Sequence, residues 1–132
     1  MEQITFLLLR LAIGASMFGH GLVRLPKLSA FSNWMAGTFE KSILPKVLVI
    51  PFSYVLPLAE FSVGLLLLIG LFTKQASVIG GLVMFILIFG TCMIENWEAL
   101  PSQLIHVVFF ALLIQYVESS NVMALDNILF KK

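Results

Sequence analysis

Four apolar stretches long enough to cross a bilayer, set into only 132 residues, leave this chain little choice of fold. They run Thr5–Val23, Pro51–Leu71, Ala76–Ile94 and Pro101–Val117. A spanning helix takes about 20 predominantly apolar residues, and backbone in hydrocarbon must satisfy its own hydrogen bonds. The expected fold class is therefore all-α, an integral membrane four-helix bundle forming one domain over residues 1–132. Composition agrees. Hydrophobic residues make up 60% of the chain and charged residues 11%, where a soluble domain carries about 45–50% and about 25%. That balance excludes disorder. A net charge of +1 leaves no basic field for nucleic acid.

The single cysteine, Cys92, cannot close a disulfide within the chain. With no CxxC and no His/Cys cluster, no metal site is expected. The start, Met-Glu-Gln, lacks the basic opening of a signal peptide, and Arg10 interrupts its apolar run. The first segment is expected to be retained.

The connections differ in length. Lys74 and Gln75 alone separate the second and third spans, which makes those helices antiparallel neighbours. Glu95-Asn96-Trp97-Glu98 forms the third connection, and Pro101 heads the last helix. Pro51 suits a first helical turn, although the apolar run there begins near Val47. In the long first connection Leu28, Phe31, Trp34, Met35 and Phe39 recur at helical spacing. They predict a short amphipathic helix in the headgroup region, with Trp34 at the interface. Orientation is a near tie: Arg24, Lys27, Lys41 and Lys46 stand against Lys74, Lys131 and Lys132. Small-residue pairs Ala15/Gly19 and Ser77/Gly81, with Gly64, Gly80 and Gly90, point to close helix contacts.

In so apolar a chain the informative residues are the ionisable ones at membrane depth, which cost about 2.5–3.5 kcal/mol each on the insertion scale unless partnered. Arg10 and Glu60 stand out. Arg10, Gly14, Met17, Gly21 and Arg24 share one face of the first helix. The economical expectation is that Arg10 and Glu60 meet inside the bundle, with a purely structural ion pair and a substrate or proton site equally served. Pro57, inside the second helix three residues before Glu60, removes the partner of the Ser53 carbonyl. His20 lies about 80° from the arginine stripe. His106 shares a face with Gln103 on the fourth helix. Nothing in the histidine spacing argues for haem.

These residues, in this order, resemble the DoxX family from Leu9 to about Lys74. The first helix carries the arginine and then Phe18-Gly19-His20-Gly21 before Arg24. Phe31 follows in the connection, then Pro57, Glu60, Gly64 and Gly70-Leu71-Phe72-Thr73-Lys74. Arg24 stands where the family often has lysine. Gln103 or His106 occupies the region of a common acidic residue, and Asn121 precedes Ala124-Leu125-Asp126. The resemblance implies a multi-pass protein of the bacterial cytoplasmic membrane and a link to membrane redox systems. The expected function is thus a small subunit or accessory of a quinone-linked system, with quinone as its one candidate cofactor. Arg10, His20, Arg24, Glu60, Gln103 and His106 form its candidate polar centre. A scaffold or assembly subunit is the alternative, and a small proton-coupled transporter the third reading. The expected partners are the lipid bilayer, a membrane or membrane-associated protein, and a second copy of the chain as an option.

Overall fold

A computed structural model describes residues 1–130; Lys131 and Lys132, which entered the orientation count, lie outside the described residues. The described chain is all-helical. It comprises α1 (Gln3–Arg24), a 3-10 turn (Leu25–Lys27), α2 (Leu28–Thr38), α3 (Lys46–Ile69), α4 (Thr73–Met93), α5 (Leu100–Ser120) and α6 (Leu125–Leu129). Four segments are long and apolar enough to cross a membrane: Gln3–Thr38, Lys46–Ile69, Thr73–Met93 and Leu100–Leu129. Their outward surfaces are rich in exposed Leu, Ile, Val and Phe. In a chain with four such spans, that surface faces lipid.

Helix boundaries depart from the sequence expectation at two joints. The helix α3 starts at Lys46 after Pro45, so Pro51 lies in its second turn and not its first. Pro45 ends the extended approach at φ −72 and ψ 146 and sets the start; the apolar run from Val47 then continues the helix. Lys74 and Gln75 belong to α4, not to the link before it. The turn is made instead by Gly70, left-handed at φ 70, and by Phe72, which is also left-handed at φ 50. Gly70 is the αL residue that ends α3.

The contact between α1 and α3 is antiparallel and continues into α2. Going along α1, Gly14 lies beside Leu67 and Leu68, Phe18 beside Gly64, and Gly21 beside Phe61. Arg24 then meets Glu60, and on α2 Ser32 meets Ser53, whose hydroxyl donates across at 2.7 Å. The amphipathic helix expected in the first connection is therefore present as α2. It runs alongside the first half of α3, with Ser32 and Met35 buried and Trp34 60% exposed. A Cβ on Gly64 would fall on the backbone of Phe18, and one on Gly21 on the backbone of Phe61. The two helices touch backbone to backbone there, which only glycine permits. By contrast nothing among the described residues lies within 4 Å of a Cβ on Gly19, so the expected Ala15/Gly19 contact is not formed. The spacing was right for a contact but the pair is on the outward face. Gly80 receives the ring of Phe110, joining α4 to α5.

At the α3–α4 turn the C-terminal segment folds back. The Asp126 carboxylate accepts the backbone N–H of Phe72 at 2.6 Å and of Thr73 at 2.9 Å. Those are orphan donors at the start of α4, where negative charge is also favoured by the helix dipole. Asn121 donates to Thr73 Oγ1 at 3.0 Å. Asp126→Ala is expected to cost about 1–2 kcal/mol, read as a lower unfolding midpoint in detergent, with Asp126→Asn recovering part of the loss.

Candidate functional site

The Arg24 guanidinium reaches Glu60 across the α1–α3 contact. Its Nη1 donates to both carboxylate oxygens at 2.7 Å. The Glu60 side chain is 3% exposed and that of Arg24 26%. The Arg24 guanidinium carbon also sits 4.7 Å from the ring centre of Phe31 on α2. One arginine thus holds three elements together at the break in the first span. A charge at such depth is tolerated when it is paired and hydrogen-bonded.

This corrects the expected partner of Glu60. Arg10 lies at the opposite end of the same α1 stripe, where its Nη1 donates to Asn121 Oδ1 at 2.7 Å and its Nη2 to the Met123 carbonyl at 2.8 Å. The stripe itself is as predicted, for Arg10, Gly14, Met17 and Gly21 are all buried. The antiparallel register fixed by Gly21 and Gly64 then puts Arg24, not Arg10, level with Glu60. Arg10 Nε is buried with no hydrogen-bond partner among the described residues. Arg10 therefore secures the C-terminal segment and belongs to a second polar cluster.

The remaining candidates do converge on Glu60. A cavity of about 600 Å³ is lined by His20, Arg24, Glu60, Gln103 and His106 together with an apolar wall. Phe31, Trp34, Phe39, Phe52, Leu56 and Met84 are part of that wall. Pro57 is buried in an unbroken α3 one turn before Glu60. The imidazoles of His20 and His106 stand edge to face with their centres 6.4 Å apart. Each ring is oriented by a backbone carbonyl one turn back on its own helix: His20 Nδ1 lies 2.7 Å from the Ser16 oxygen, and His106 Nδ1 2.7 Å from that of Ser102. A carbonyl can only accept, so in the neutral rings the proton is on Nδ1. His106 Nε2 then accepts from the Ser16 hydroxyl at 2.9 Å, linking α5 to α1. Gln103 donates to Thr91 Oγ1 at 2.8 Å, and its Oε1 is buried without a donor among the described residues. Among the described residues no group of three His, Cys, Asp or Glu could hold a metal.

Sequence reasoning missed Ser16 and Thr91, single hydroxyls whose value appears only when a facing helix is known. It also missed the pairing of Ser32 with Ser53. The role of Phe31 was partly signalled by its place in the resemblance.

The fold and this polar centre define an integral, multi-pass four-helix membrane protein. The chain belongs to the DoxX family, whose model matches residues 5–92, two thirds of its length. The match ends within α4 and so takes in Arg24, His20 and Glu60 but not Gln103 or His106. No curated protein and no solved structure matched the chain.

Proposed function

We propose that the cavity between α1, α2, α3, α4 and α5 binds a lipophilic molecule drawn from the bilayer, with its polar head at Arg24 and Glu60. The chain would then serve as a small quinone-linked accessory of a membrane redox system, residing in a bacterial cytoplasmic membrane. The observation that carries this reading is one cavity of about 600 Å³ joining an aromatic and aliphatic wall to a few convergent polar groups. That combination is the general form of a small-molecule site. A quinone head needs hydrogen-bonding groups at its oxygens and an apolar slot for ring and tail. Arg24 supplies donors, His20 and Glu60 exchange protons, and the wall accepts the remainder. No electron carrier is built from these side chains, so electrons would come from a partner protein.

Trp34 lines the cavity, and the chain's other tryptophan, Trp97, does not. In a Trp97→Phe background reconstituted in nanodiscs, a decyl-substituted benzoquinone is expected to quench Trp34 fluorescence saturably. Replacing Arg24 and Glu60 together by methionine should weaken that binding by about tenfold or more. Linear, non-saturating quenching in both proteins, as from ligand dissolved in lipid, would refute the site.

A further inference from the structure

Where the cavity reaches the surface, its lining changes character from one side of the bundle to the other. Leu48 on α3 and Ile86 and Phe89 on α4 line the cavity and are 49–61% exposed. His20 on α1, Ser102 on α5 and Asn96 in the connection before α5 also line it and are also exposed. The helices pack in a ring, α1 on α3, α3 on α4, α4 on α5 and α5 on α1. The seam of α3 with α4 is therefore opposite the seam of α5 with α1. The deeper lining, Met17, Leu56 and Glu60, is buried.

Each opening suits one medium. Exposed leucine, isoleucine and phenylalanine on a membrane bundle face hydrocarbon, whereas exposed polar side chains left there without partners carry a large desolvation cost. His20, Asn96 and Ser102 therefore belong to water or headgroups. Ser102 stands in the first turn of α5, and His20 is one turn before the end of α1. The polar centre is displaced to the same side: Arg24 and His20 lie on α1, Gln103 and His106 on α5, and Glu60 on the face of α3 that meets α1. From this asymmetry we infer that a bound lipophile lies across the bundle, its tail leaving between α3 and α4 into lipid and its head open to water between α5 and α1. The reversed placement would press a hydrocarbon chain on His20, Asn96 and Ser102 and strip their polar atoms of water. A tail that continues into lipid stays in apolar surroundings along its length, so the cavity of about 600 Å³ sets no limit on chain length. The ligand class is accordingly a single polar ring on one long chain. This orientation rests on the reading of the cavity as a lipophile site and adds which side of the bundle each end of the molecule meets.

Photolabelling in nanodiscs tests it with two decyl-substituted benzoquinones, one carrying a diazirine on the last carbon of the chain and one on the carbon next to the ring. Label competed by the plain decyl benzoquinone is mapped by peptide mass spectrometry. The chain-end probe is expected to place about tenfold more competed label around Leu48, Ile86 and Phe89 than around His20 and Ser102. The ring-side probe should shift label towards His20 and Ser102. In a Cys92→Ser chain, a charged maleimide added in water should modify Ser102→Cys about tenfold faster than Phe89→Cys. Chain-end label shared equally between the two seams, or concentrated at the seam of α5 with α1, would overturn the orientation while leaving the cavity a lipophile site. Equal modification of the two cysteines, or faster modification at Phe89→Cys, would likewise overturn it. No competed label from either probe would reject the site itself and this orientation with it.

Discussion

Arg24→Ala is expected to lower the unfolding free energy of the detergent-solubilised protein by about 3 kcal/mol or more, the range seen when one partner of a buried ion pair is removed. The loss has two parts. Glu60, 3% exposed, would keep its desolvation cost and lose both of its 2.7 Å hydrogen bonds. The guanidinium contact to Phe31 would also vanish, freeing α2 from α1 at the 3-10 turn. A second change, Glu60→Gln, removes the unpaired charge and should return a large part of the stability. The pair is then measurable as a coupling between the two positions. Arg10→Ala followed by the same Glu60→Gln should show no such rescue, because Arg10 bonds to Asn121 and Met123. Equal rescue in both backgrounds would contradict the pairing.

Gly64→Leu is expected to have an effect at least as large. Even a bare Cβ at Gly64 would occupy the position of the Phe18 backbone. Backbone cannot move aside as a flexible side chain does, so α1 and α3 must separate along their whole contact. Ordinary overpacking costs about 1–3 kcal/mol; a forced separation here should exceed that and abolish accumulation of folded protein. Gly19→Leu on α1 is the control, since nothing among the described residues lies within 4 Å of a Cβ added there. It should change stability by about 0.5 kcal/mol or less. The comparison reads out as folded yield and as the midpoint of denaturant unfolding. Similar losses at both glycines would contradict the α1–α3 interface.

The same two glycines explain what the sequence could and could not tell. The four spans were legible because bilayer thickness imposes length and apolarity, a signal carried by dozens of residues at once. The face of α1 that turns inward was legible too, from the 100° spacing of Arg10, Gly14, Met17 and Gly21. Its partner was not. Two arginines bracket that stripe, and the rung on which Glu60 sits depends on how far α1 slides along α3. That slide is fixed by reciprocal contacts, Gly21 on Phe61 and Gly64 on Phe18. No periodicity within one helix encodes it. Ala15 and Gly19 show the converse, a small-residue spacing that satisfies the pattern and faces outward. The histidines were visible as candidates, but their link through Ser16 depends on the approach of α5 to α1, which a single chain does not announce.

The C-terminal cluster has a similar lesson. Asp126 lies beyond the residues that the family model matches, and its target lies more than fifty residues earlier at Phe72 and Thr73. Arg10 completes that cluster from a third part of the chain. The arginine stripe thus serves two ends: one closes the fold around the C-terminal segment, and the other heads the cavity.

Whether the cavity arrives occupied can be read by native mass spectrometry of the protein released from its own membranes. A stoichiometric lipophilic adduct is expected on the unaltered chain, identified by fragmentation as an aromatic head with an apolar tail. It should be absent when Arg24 and Glu60 are both replaced by methionine in a variant that still folds. A bare chain from both preparations, or the same phospholipid retained equally by both, would contradict it.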